Sequence, residues 1–143
     1  MIEGNQYIET VKKYFSFLIS EFGFKVTEEE IRGNAFYDIQ YKDKARIVSI
    51  SYENIEDYLQ VIVCILQNGE LPYYDDKSKT LHLKHLNKLV MSYVTIDEIK
   101  LNSMYFVKYN AESELEKRLL KEAKGLRLCL KNYNEIQNSK STD

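Results

Sequence analysis

At Gly23 the apolar period of the chain changes from about 3.6 residues to two, and this change limits the fold more than any other feature. Upstream, Ile8, Val11, Phe15, Leu18 and Phe22 recur at helical spacing, while Glu9, Lys12, Lys13, Ser16 and Ser20 take the other faces. The spacing predicts an amphipathic helix over 6–22. Gly23 then stands where a left-handed residue closes a helix, with Phe24 folding back on the last turn. Downstream, a strand begins over 24–27, and Tyr37, Ile39 and Tyr41 alternate with Asp38 and Gln40. Lys42, Asp43 and Lys44 supply a polar turn into a strand over 45–52, completing a hairpin. A further strand over 58–66 is apolar on both faces, as a shielded or central strand requires. The short connections favour an antiparallel meander of about four strands.

Beyond a polar loop over 67–80, which holds the single Pro, the pattern turns helical again through Leu83, Leu86, Leu89 or Val90, and Tyr93. Leu81, His82 and Leu83 equally fit a short edge strand. Thr95 reads as an N-cap, with Asp97 and Glu98 in the first turn, where the helix dipole favours acids. A last helix over 112–135 places Leu115, Leu119, Ala123, Leu126, Leu130 and Tyr133 in a nearly heptad stripe. Gly125 weakens its middle by about 1 kcal/mol relative to Ala. The expected fold is a single α+β domain over 1–137: an N-terminal helix, the meander, and two or three C-terminal helices packed on one face. The tail over 138–143 is expected to fray.

Length and composition remove several classes. A 143-residue chain with 44% apolar residues needs no disulfide or metal to fold, and five Gly with one Pro exclude collagen-like and low-complexity sequence. The first residues, Met1 to Gln6, carry no secretory signal pattern, and the longest apolar run, Val61 to Leu66, is far short of the roughly 20 residues that span a bilayer. No membrane association is expected. Cys64 and Cys129 have no Cys-x-x-Cys spacing and read as two free thiols in a reducing compartment, which makes the expected location cytoplasmic.

Chemistry-bearing patterns are thin. His82 and His85 are three apart, but no Glu or Cys completes a metal set around them. Gly-rich phosphate loops and a nucleophile elbow are absent from the sequence, so no catalytic residue, no metal and no cofactor is expected. Charge, by contrast, is divided. Residues 1–76 hold fourteen acids and seven bases, whereas 77–143 hold eight acids and thirteen bases. The sheet region over 24–66 is net negative, which repels phosphate and argues against nucleic acid. Its carboxylates gather in Glu28, Glu29 and Glu30, read as a solvated face or a dock for a basic partner, and in Glu53, Glu56 and Asp57. Twelve Tyr and six Phe exceed the needs of one small core. Tyr73 and Tyr74 sit in a polar loop between Pro72 and the pair Asp75 and Asp76, as an interface anchor would, or fold back to cap the core.

The order of Tyr14, Phe15, Phe17 and Leu18, then Glu21-Phe22-Gly23-Phe24, then Ile39 and Tyr41, then Arg46, Ile47, Ile50, Ser51, Tyr52 and Glu53, resembles small uncharacterised bacterial proteins. Some of these belong to the immunity proteins of polymorphic or contact-dependent toxin systems. The resemblance spans about 11–66, and it implies an intracellular protein that binds and blocks a cognate toxin domain without turnover. On that reading the partner-binding residues are Tyr73, Tyr74, Asp75 and Asp76, then Glu53, Glu56 and Asp57. A second reading is a small enzyme or small-molecule binder with a pocket between the sheet and the C-terminal helices, using His82 and His85. A third is homodimerisation through the last helix.

Overall fold

The helix expected over 6–22 is broken at Phe15 and Ser16. In a computed structural model, which describes residues 2–66 and 80–133, it becomes α1 (Gly4–Tyr14) and α2 (Phe17–Ser20). Tyr7, Ile8, Val11 and Tyr14 of α1 are buried, and so are Phe15, Phe17 and Leu18. At 100° per residue a continuous helix sets Phe15 and Phe17 on opposite sides and cannot bury both against one sheet. The chain therefore turns at Phe15 (φ −104°), and Leu18 donates to the Phe15 carbonyl at 3.0 Å, a three-residue closure. Gly23 then adopts φ +73°, and the Phe24 N–H donates to the Leu18 carbonyl at 2.9 Å, closing the segment as expected. Phe24 is buried beneath the Arg46 guanidinium, 5.2 Å from the ring centre.

The chain divides into two compact units, 1–82 and 83–143. The first continues with β1 (Lys25–Arg32), β2 (Phe36–Lys42), β3 (Arg46–Glu53), β4 (Tyr58–Ile65) and β5 (Thr80–His82). These form one antiparallel sheet in the order β1-β2-β3-β4-β5, the meander expected, with five strands where about four were counted. The added strand is the short-edge alternative at Leu81 and His82, paired with β4 through Ile62 and Cys64. β1 runs further than its apolar start announced, carrying Glu28, Glu29 and Glu30 into the ladder opposite Gln40, Ile39 and Asp38. At the β2–β3 turn, Asp43 Oδ1 accepts from the Ala45 and Arg46 N–H groups at 2.9 and 2.6 Å.

Alternation gives the sheet two different faces. Tyr37, Ile39, Tyr41, Val48, Ile50, Tyr52, Val61, Val63 and Leu81 line one of them and are buried, with α1 packed along β1 and β2. Each such side chain contributes about 1.5–3 kcal/mol on leaving water. Two buried tyrosines place their hydroxyls on backbone: Tyr7 of α1 donates to the Ile50 carbonyl and Tyr37 to that of Ile2, both at 2.8 Å. The Tyr41 hydroxyl is buried with no hydrogen-bond partner among the described residues. The second face is mixed: Asp38, Gln40, Ser49, Ser51, Gln60 and His82 share it with Ile47 and Ile62, which are buried. Asp38 is 6% exposed, and its burial is offset by Ser49 Oγ at 2.7 Å and Gln40 Nε2 at 3.1 Å.

The second unit holds α3 (Leu83–Val90), α4 (Ile96–Tyr105) and α5 (Glu114–Lys131), with α5 packed against both others. Thr95 caps α4 as expected, accepting from the Glu98 N–H. α5 begins two residues later than the 112–135 pattern because Ser113 fixes its start. Ser113 Oγ accepts from the Glu116 N–H, and Glu116 Oε1 accepts from the Ser113 N–H, a reciprocal cap. Leu115, Leu119, Ala123, Leu126 and Leu130 are buried, so the α5 stripe is consumed within its own chain. Gly125 has a packing role: a Cβ there would lie 2.9 Å from Asn87 Oδ1, the atom that accepts from the Cys129 thiol at 3.2 Å. Arg127 is buried, donates to Asn102 Oδ1 at 2.8 Å, and lies 4.0 Å from the Tyr105 ring centre.

Candidate protein-binding surface

The β3–β4 turn, residues 54–57, gathers three of the carboxylates singled out in the sequence around an exposed apolar tip. Glu53 ends β3 partly exposed, Glu56 and Asp57 are exposed in the turn, Ile55 between them is 76% exposed, and Tyr58 at the start of β4 is 54% exposed. Hydrogen bonds hold this projection. The Asn54 N–H donates to the Ala35 carbonyl at 2.9 Å, and Asn54 Nδ2 donates to the Asn34 carbonyl at 2.6 Å and to the Tyr37 hydroxyl at 2.9 Å. Across the turn the Tyr52 hydroxyl donates to Asp57 Oδ1 at 2.5 Å. The β3–β4 turn is thereby tied to the β1–β2 turn and to a buried tyrosine of the core. Asp57 itself has φ +51°, a conformation that Asp tolerates better than most side chains because its short carboxylate bonds locally.

The Asp57 carboxylate thus fixes the turn, while Glu53 and Glu56 supply charge around Ile55 and Tyr58. Tyr73, Tyr74, Asp75 and Asp76 lie outside the described residues. His82 ends β5 with its Nδ1 3.1 Å from Gln60 Nε2, whereas His85 is exposed on α3, so the two histidines do not share a helical face. Among the described residues no group of three or more His, Cys, Asp or Glu is placed to hold a metal ion. Burial pushes the Cys129 thiol up to about 12, aided by the Glu122 carboxylate, and burial also raises Cys64, so both thiols stay protonated at neutral pH.

A further exposed surface escaped the sequence reading. Ile96, Leu101, Met104 and Val107 on and after α4 are 71%, 67%, 68% and 82% exposed, while the buried side of this segment is carried by Asn102 and Phe106. The signal was available: apolar residues over 96–107 fall on two sides of the helix, more than one core can cover.

The described residues define an α+β fold with an acid-rimmed, apolar-tipped turn. No family model, no curated protein and no solved structure matches the chain. Among the described residues no helix is long and apolar enough to cross a membrane.

Proposed function

We propose that the chain is a non-catalytic protein-binding module of the immunity type, which binds a basic partner such as a toxin domain and blocks it. The observation that carries this reading is the braced β3–β4 turn, with Ile55 and Tyr58 exposed among Glu53, Glu56 and Asp57. An apolar anchor inside a polar rim is the usual energetic centre of a protein interface. Bracing matters because a turn already ordered in the free protein loses little entropy on docking. Residues 2–66 hold eleven acids against seven bases, a balance that speeds encounter with a positively charged surface. Free, protonated Cys64 and Cys129 fit the cytoplasm as the place of action.

A pull-down from the native host tests the reading, with wild-type and Ile55→Asp baits compared. Wild type is expected to retain a basic protein that Ile55→Asp, at a solvent-exposed position, binds about tenfold or more weakly. A wild-type bait that retains nothing, or two baits that retain the protein equally, overturns it.

A further inference from the structure

We propose that β1 is a docking edge that takes a basic, extended segment of a partner protein as an added antiparallel strand. This rests on the partner-binding reading above and names the chemistry and geometry of one contact. β1 ends the sheet, pairing with β2 alone among the described residues, and it is eight residues long where the opposite edge, β5, has three. All its residues are exposed except Val26 and Glu30, which are partly so. Such an edge presents a row of backbone donors and acceptors that pairs with any extended chain unless side chains forbid it. The irregularity between Val26 and Glu28 confines the regular ladder to Glu28–Arg32, which sets the length of the platform at five residues.

The side chains of that platform select the occupant. Glu28 and Glu30 point to the face that carries Asp38 and Gln40, Glu29 and Ile31 to the helix face. Nearby cations answer part of this charge: Lys12 lies 3.1 Å from Glu29, and Arg32 is paired with Glu30, while Lys25 stands beyond the bulge opposite Lys42. Glu28 has no ion pair among the described residues. A second copy of β1 is a poor occupant, because any antiparallel register centred on the triplet sets Glu against Glu, and like charges directly opposite destabilise a ladder. A strand with Lys or Arg across from Glu28 and Glu30, and an apolar residue beside the 45%-exposed Ile31, meets no such penalty.

The test uses the full chain and an acetylated, amidated hexapeptide, Glu-Val-Lys-Lys-Lys-Thr, which lies antiparallel to Thr27–Arg32 with Lys across from each Glu. Two further peptides carry N-methyl groups on alternate residues in opposite phases, keeping the charge while blocking one or the other edge of the peptide backbone. The plain peptide is expected to shift the backbone amide resonances of Glu28–Arg32. One methylated peptide should bind about tenfold or more weakly and the other should retain binding, because a strand pairs along one edge at a time. Glu28→Lys/Glu30→Lys, both at the solvent-facing edge, should weaken the plain peptide by a similar factor. Shifts absent from β1, or both methylated peptides binding like the plain one, overturn strand addition. If that failure accompanies a partner retained by the wild-type bait, the edge is excluded and the binding module stands; if no partner is retained either, both fall.

Discussion

The hydroxyl of Tyr52 donates to the carboxylate of Asp57 at 2.5 Å, joining a buried core residue to the one described non-glycine residue with positive φ. The bond crosses the tip that bears Ile55, so core packing sets the shape of the candidate interface. Tyr52→Phe should cost about 1.5–3 kcal/mol, the worth of a hydrogen bond to a charged group. Asp57→Ala should cost more than Asp57→Gly, because Ala loses the bond and also resists the left-handed region by about 1–2 kcal/mol. Chemical denaturation of the three variants checks the order.

Tyr7 and Tyr41 make a controlled comparison within one core. Tyr7→Phe removes a donor from the Ile50 carbonyl and should cost about 1 kcal/mol, whereas Tyr41→Phe removes a buried hydroxyl with no partner among the described residues and should be neutral or stabilising. The pair also sets an alkaline limit. Burial first, then the charges of Asp38 and Glu29 respectively, push both phenols well above their ordinary value near 10. The unfolded chain ionises first on raising the pH and binds fewer protons than the folded one. Stability is therefore intact below about pH 10 and falls above it. Denaturation midpoints at pH 9 and pH 11 measure the slope, which Tyr41→Phe should reduce.

Glu122 on α5 gives the acid-side counterpart. Burial raises its carboxyl, while Lys121 lowers it by a smaller amount. With a folded value above the unfolded one, its contribution to stability is complete below about pH 4.5 and is lost as the pH rises through the folded value. Glu122→Gln should therefore stabilise the chain at pH 7 and change little at pH 3, as read by denaturation at both.

Gly125 and Asn87 should behave as a coupled pair. Gly125→Ala alone gains about 1 kcal/mol of helix propensity but pushes a Cβ against the Asn87 amide, so the net change should be small or unfavourable. In an Asn87→Ala background the same substitution should recover that gain, and a double-mutant cycle measures the coupling.

Replacing Glu28, Glu29 and Glu30 together by Gln removes the like-charge penalty against pairing β1 with itself. The triple variant should self-associate at concentrations where wild type sediments as the smaller species. Added salt should drive wild type in the same direction by screening the glutamates.

Much of this architecture was legible in consecutive residues, because turns, caps and periodicity are local chemistry. Gly23 announces the end of the first helical segment, Thr95 caps α4, Asp43 closes the β2–β3 turn, and the alternation of Tyr37, Ile39 and Tyr41 fixes which face of β2 goes inward. The helix break at Phe15 was not legible, since Phe15 and Phe17 compete for one sheet and the period alone cannot say that both win. β5 was equally ambiguous, because three residues become a strand through the edge of β4 that they meet.

The candidate surface divides in the same way. The sequence by itself determined that Glu53, Glu56 and Asp57 form an acidic cluster near a turn, because composition and spacing are properties of neighbours. Tertiary structure decided that Asp57 braces the turn through Tyr52, that Asn54 reaches back to Asn34 and Tyr37, and that Ile55 is left in solvent. It also decided that Asp38 is buried with Ser49 as its donor and that Gly125 makes room for Asn87. These pairs lie from five to thirty-eight residues apart, and a hydrogen bond or a close approach between them exists only once the chain has brought them together.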